Sequence, residues 1–286
     1  MAPTPAFVLY LYNPTLVGSV LFAVLFFLTT VAHLYQRIRG HAKYFNPFIV
    51  GGIFQIIGYG ARTFSHFNDT STIGYAMQSL FLLLAPILYA ASIYMVLGRI
   101  IRHVHGEHLS VVPVNFMTKT FVGGDVLSFI LQAAGGGVMT GGSKTSATIG
   151  QWIIVSGLCV QLLFFGAFVL SSLFFHFRIN RAPTAESQET MRSSKFFWPR
   201  DWRGLLFACY VVSVLIVIRS IYRLVEFIQG NSGYVIGHEV FLYVFDATMM
   251  FIAMIVMNFF HPSTVLQKDP VEVRSEPKTS ASVSDV

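Results

Sequence analysis

Apolar and polar positions along this chain alternate at long wavelength. Seven stretches, about 15–36, 45–67, 72–97, 118–138, 149–176, 204–228 and 237–260, are predominantly apolar. Each reaches the roughly 20 residues that a helix needs to cross a bilayer. The pattern predicts an all-α membrane protein with seven transmembrane helices over residues 15–260. An N-terminal segment, 1–14, precedes them. From 261 to 286 the composition shifts to Ser, Thr, Pro and mixed charge, which reads as a disordered tail. No Lys or Arg precedes the first stretch and its apolar run exceeds a typical signal core, so it is expected to be a retained helix.

Ionisable residues interrupt this apolar pattern at few places. Arg62, Arg219 and Arg223 stand against Asp125, Glu226, Glu239 and Asp246, all inside predicted spans. Residues three, four and seven apart share a helix face. Gln55, Tyr59 and Arg62 therefore form one stripe, Arg219, Arg223 and Glu226 a second, and Glu239, Tyr243 and Asp246 a third. Charges inside hydrocarbon are costly unless paired or wetted, and by default they mark a functional site.

The sixth and seventh stretches are joined by a short turn containing Gly230, Gly233 and Gly237, so depths along them can be compared. Glu226 and Glu239 fall near the turn, Arg223 just below, and Arg219 with Asp246 about two turns deeper. This register predicts the pairs Arg219 with Asp246 and Arg223 with Glu239. Gln78, Gln132, Gln151 and Gln161 either extend such a chamber or serve as interhelical hydrogen bonds. Asp125, with Ser128 and Gln132 above it, lies in the opposite half of the bilayer and links the chamber to that side. Three positive against four negative groups leave a formal charge of minus one. A proton on Asp125 or Asp246, or a bound cation, would balance it. Pro86 predicts a kink in the third span and Gly135-Gly136-Gly137 a break in the fourth.

Composition agrees with the pattern. Of 286 residues 54% are hydrophobic and 11% charged, against about a quarter charged in ordinary soluble domains. The loops divide the basic residues unevenly. One set holds Arg37, Arg39, Lys43, Arg99, Arg102, Lys119, Arg178, Arg181, Arg192, Lys195, Arg200, Arg203, Lys268, Arg274 and Lys278; the other holds Lys144 alone. The imbalance predicts an N-terminus outside and a C-terminus in the cytosol. The net charge of +6 and pI near 9.4 then describe a cytosolic face and exclude a nucleic-acid footprint. Asn68-Asp69-Thr70 is a glycosylation sequon on the outer side. Cys159 and Cys209, both within spans, exclude a disulfide scaffold.

A string of short motifs comprises Gly58-Tyr59 with Arg62, Gln78-Ser79, Leu84-Ala85-Pro86, Ala90-Ala91-Ser92-Ile93-Tyr94 and Leu97-Gly98-Arg99. It continues through Asp125-Val126, Ser128-Phe129, Gln132, Gly135-Gly136-Gly137, Arg219-Ser220, Arg223 and Glu226 to Gly233-Tyr234, His238-Glu239, Asp246 and His261-Pro262. In these motifs the chain resembles the fungal lipid-translocating exporter family, which includes aminocholesterol-resistance and sphingoid-base-resistance proteins. The resemblance implies seven spans, a plasma-membrane or other fungal-membrane location, and a role in lipid asymmetry, sterol or sphingoid-base tolerance, or drug resistance. It brings no ATPase module, and the chain contains no Walker-type phosphate loop.

The leading expectation is a translocator of lipids or amphiphilic small molecules, not an enzyme and without a cofactor. Its substrate-binding residues are expected among Arg62, Gln78, Asp125, Gln132, Arg219, Arg223, Glu226, Glu239 and Asp246. Carboxylates there suit an ammonium, and guanidiniums suit a phosphate or hydroxyl-rich head group. A receptor-like lipid sensor is the alternative. A membrane metalloenzyme needs three ligands converging on an open position, and His33 and His66, toward opposite ends of their spans, are badly placed for it. Ile73-Gly74-Tyr75 echoes Ser232-Gly233-Tyr234 and hints at three helices on each side of the fourth.

Overall fold

The structure is a computed structural model that describes residues 15–68, 72–139, 143–185, 187–188, 201–230 and 233–266. The proposed N-terminal segment, most of the tail, Arg192, Lys195 and Arg200, and Asp69 and Thr70 of the sequon lie outside the described residues. The described residues are helical, without strands. The long helices are α1 (Leu16–Gly40), α2 (Asn46–Phe67), α3 (Thr72–His103), α4 (Val114–Met139), α5 (Lys144–Arg181) and α6 (Trp202–Gln229). A last rod joins α7 (Glu239–Leu242), a π-turn (Tyr243–Ala247) and α8 (Thr248–Phe259).

The ends of these helices follow from local chemistry. Pro occupies the first turn of α2, where its missing N–H costs nothing. Ser143 Oγ accepts from Ser146 N at 3.0 Å and caps α5. Asp201 caps α6 by accepting from Arg203 N at 3.2 Å, and it also holds the Arg203 guanidinium at 2.6 Å. α1 closes on His41 at φ 53, a left-handed residue whose N–H returns to the last carbonyls. The expected break at Gly135-Gly136-Gly137 does not occur, because α4 runs through it to Met139. Pro86 lies inside α3.

Contacts between neighbours fix an up-and-down order. Phe26 and Phe22 meet Tyr59 while His33 meets Phe48, so α1 and α2 are antiparallel. Tyr94 meets Asp125 and Arg102 meets Asn115 across α3 and α4. Gln151 meets Phe227 and Ser172 meets Tyr210 across α5 and α6. The last rod returns beside α1 and parallel to it, as Thr15 with Glu239, His33 with Met254 and Gln36 with Asn258 show. α4 and α5 approach most closely: a Cβ on Gly135 would fall 2.6 Å from the Gly150 carbonyl oxygen. Two glycines there let the backbones touch, the packing that membrane helices favour.

Six helices among the described residues are long and apolar enough to cross a membrane. α2, at 22 residues about 33 Å long, is long enough but falls outside the six because Gln55, Tyr59, Arg62 and the glycines at 51, 52, 58 and 60 dilute its apolar run. Only 22% of the apolar window of α1 is buried, against 67% for α3. The chain therefore displays rows of Val, Leu and Phe on its outside, including Val17, Leu21, Val24, Phe27 and Leu28 on α1. Such a surface belongs in lipid.

Candidate functional site

The three stripes read from the sequence meet between α2, α6 and the last rod. Arg219 Nε donates to Asp246 Oδ1 at 3.0 Å, as expected, and its Nη2 donates to the Leu82 carbonyl of α3 at 2.8 Å. Both side chains of this pair are 1% exposed. Arg223 Nη1 donates to Glu226 Oε2 at 2.7 Å, and its Nε lies 3.5 Å from Asp246 Oδ2. Arg62 Nη2 donates to Glu239 Oε1 at 2.6 Å.

The expected pair of Arg223 with Glu239 is thus corrected: each takes another partner. Glu226 stands three residues from Arg223 on the same helix and reaches it first. Glu239 opens α7 and is gathered by Arg62, by the Thr15 N–H at 2.9 and 3.0 Å, and by the Tyr243 hydroxyl at 3.0 Å. Tyr243 also accepts from Arg62 Nε at 3.3 Å. Three arginines face three carboxylates, so the ladder is neutral as a unit. Exposure rises along it from 1% at Arg219 and Asp246 to 9% and 10% at Arg223 and Glu226 and 11% at Glu239. Charges this deep are tolerable only in such arrangements, since an uncompensated one costs several kcal/mol.

The π-turn sets the geometry of the deep rung. Thr248 donates both its N–H and its hydroxyl, the latter at 2.8 Å, to the Tyr243 carbonyl five residues back. Asp246 lies within the turn. π-turns cluster at functional sites, and no sequence pattern announced this one. Tyr222, which donates to Glu226 at 3.4 Å, and Thr15 were also missed; both follow from packing, not from periodicity.

Asp125 is the carboxyl left over from the three pairs, and it stands apart from the ladder. It is 1% exposed on α4, and its Oδ2 accepts from the Tyr94 hydroxyl at 2.9 Å. Rings of Phe121, Phe165 and Phe168 pack around Tyr94. Gln132 donates to Gln161 at 3.1 Å and joins α4 to α5 instead of joining the ladder. Gln151 likewise holds the end of α6. Gln78 is buried on α3 at 5% exposure. Asn68 is exposed at the end of α2. Among the described residues no group of three or more His, Cys, Asp or Glu is placed to hold a metal.

A lipid-clad helical bundle with a neutral ladder of paired charges inside it defines a polytopic integral membrane protein with a polar interior. A family model described as RTA1 like protein matches residues 48–269, which include every rung of the ladder, and the chain belongs to that family. The family resemblance read from the motifs is borne out. Protein RTA1 of Saccharomyces cerevisiae is 36% identical over 275 residues, covering 87% of this chain and 83% of that protein. Protoporphyrin uptake protein 1 of the same organism is 35% identical over 287 residues, covering 88% and 91%. Its sphingoid long-chain base transporter RSB1 is 29% identical over 279 residues, covering 87% and 72%. No solved structure matches the chain.

Proposed function

We propose that this protein translocates charged amphiphiles across or out of a membrane, with the ladder receiving the head group by exchange of ion-pair partners. The observation that carries the reading is the graded set of pairs: a sealed rung at Arg219 and Asp246, a partly exposed one at Arg223 and Glu226, and a third in which Glu239 is 11% exposed while its partner Arg62 is buried at 1%. A cationic head group can replace an arginine on Glu226 or Glu239. An anionic one can replace a carboxylate on Arg62 or Arg223. Either exchange keeps the interior neutral, which a low-dielectric site demands. The names of two relatives support both modes, since a long-chain base is an amine and protoporphyrin carries carboxyl groups.

The reading places all seven rods across the plasma membrane, α2 included, with three on each side of α4, the N-terminus outside and the Glu239 end of the ladder facing outward. Asn68 is then on the outer surface. α2 crosses because α1, α3 and the last rod cover its polar face. A tag on the C-terminus should resist protease in intact cells and be cut in permeabilised ones.

The test is purified protein in vesicles with a labelled long-chain base. Wild type should move the label between leaflets, and Glu239→Gln with Glu226→Gln should slow that movement while a folding assay stays unchanged. Label that binds without moving would replace the translocator with a sensor, and full movement in the double variant would remove the ladder from the mechanism.

A further inference from the structure

α2 carries a second line of polar atoms below the ladder. At 100° per residue, positions 62, 59, 55, 52 and 48 all fall within one narrow arc of its surface. Arg62 occupies the first position. Tyr59, 0% exposed, has a hydroxyl without a hydrogen-bond partner. Gln55, also 0% exposed, has neither amide atom paired. Gly52 lies directly against Thr30 of α1, whose Oγ1 is buried and unpaired. Phe48 packs on His33, with ring centroids 5.0 Å apart, and His33 faces His261 at 6.0 Å.

Such atoms are rare in folded proteins, because each costs about 1–3 kcal/mol unless water or a ligand meets it. Here they recur about once per helical turn along one face. On α2 they belong to Tyr59 and Gln55, and Thr30 and His33 of α1 continue the line beside Gly52 and Phe48, so that the span from the level of residue 62 to that of residue 48 is about 21 Å at 1.5 Å per residue. The hydrocarbon core is about 30 Å thick.

The two histidines have complementary needs. His33 Nε2 lies 3.1 Å from the Met254 carbonyl and must donate to it, which leaves Nδ1 of the neutral ring as an acceptor. His261 Nδ1 accepts from the Ser263 N–H at 3.3 Å, which leaves Nε2 as a donor. Both leftover nitrogens are buried and unpaired. One water between them would satisfy both, and it would also let a proton pass from ring to ring. His261 is the titratable group that acts on His33. The remaining close neighbours are the rings of Phe45 and Phe48.

We propose that this face of α2, closed by α1 and α8, is a hydrated proton path that joins the Arg62–Glu239 rung to the His33–His261 pair at the opposite end. Tyr59 and Gln55 relay between them through water. A proton taken up at the histidine pair travels through water beside the hydroxyl and amide groups to the Glu239 carboxylate, to which the Tyr243 hydroxyl donates at 3.0 Å, and the reverse holds for release. The path would give a translocator without a nucleotide site its energy source, but its existence does not depend on which amphiphile is moved.

Two measurements on the full chain in phosphatidylcholine vesicles test it. Radiolytic hydroxyl labelling reports water beside buried side chains. Tyr59 should label strongly and Phe175, equally buried but with no polar neighbour in this line, should not; Gln55→Leu should abolish the Tyr59 label. Tyr59 labelling no stronger than Phe175 overturns the proposal. In the second measurement, vesicles loaded with a pH-sensitive dye receive an imposed membrane potential with long-chain base on both faces. Proton entry should exceed that of protein-free vesicles and return to that level in Gln55→Leu and in Tyr59→Phe. Entry at the protein-free level in wild type, or entry unaltered in both variants, overturns the proton path. A labelled base that stays put while protons move removes the translocator reading and leaves the path standing.

Discussion

Asp246→Asn is the sharpest test of how the interior is held together. The change preserves shape and removes one charge. Asp246 is the counter-ion of Arg219 at 3.0 Å and a second one for Arg223 at 3.5 Å. Arg223 keeps Glu226, so the loss falls on Arg219, whose remaining contact is the neutral carbonyl of Leu82. With both side chains of the pair 1% exposed, solvent cannot compensate. Stranding one member of a buried pair costs about 3–5 kcal/mol. At 1.4 kcal/mol per decade that is roughly two to nearly four orders of magnitude in the folding equilibrium.

Unfolding of the purified protein in detergent, read by circular dichroism against denaturant, measures it. Glu107→Gln is the control: its partner Arg102 lies 3.7 Å away with both side chains well exposed, so it should cost no more than about 1 kcal/mol. Adding Arg219→Met to Asp246→Asn removes the stranded charge and should restore most of the stability. The reasoning is refuted if Asp246→Asn unfolds within about 1 kcal/mol of wild type, or if the second substitution adds to the loss instead of reversing it.

Three further outcomes follow from other contacts. Asp125→Asn keeps the Tyr94 hydrogen bond and strands no arginine among the described residues, so the same unfolding assay should show a change of about 1 kcal/mol or less. Gly150→Leu drives a side chain into the Gly135 carbonyl across the α4–α5 contact and should destabilise by about 1–3 kcal/mol or more, seen as a lower melting temperature. Thr248→Val deletes the hydroxyl bond to the Tyr243 carbonyl and should cost about 1 kcal/mol, with backbone exchange rising at residues 243–247.

The fold was legible to the extent that it obeys periodicity and length. The all-helical architecture and the three charged stripes follow from apolar runs and the 3.6-residue repeat, and both are present among the described residues. The Arg219–Asp246 rung was readable because a short turn ties α6 to the last rod and fixes depth. Arg223 was paired wrongly for a related reason: depth gives height along a helix and nothing about lateral order around the bundle. Arg62, on a helix distant in sequence, was thereby overlooked as the partner of Glu239. The glycine triplet on α4 misled because low helix propensity matters in water, whereas in lipid a backbone that leaves the helix exposes groups with no partner. Asp125 stands apart from the ladder, and its partner Tyr94 follows from the α3–α4 contact, which no spacing encodes.

The π-turn at Tyr243–Ala247 has one residue more than an α-helix would place in the same length. Both ends of that rod are tethered, Glu239 to Thr15 and Arg62, and Asn258 to the Thr29 carbonyl of α1. An extra residue caught between two fixed points is a stored rotation. Passing it one turn along the rod would swing the intervening side chains by about 100° while neither end moved, taking Asp246 off its arginines without opening the bundle.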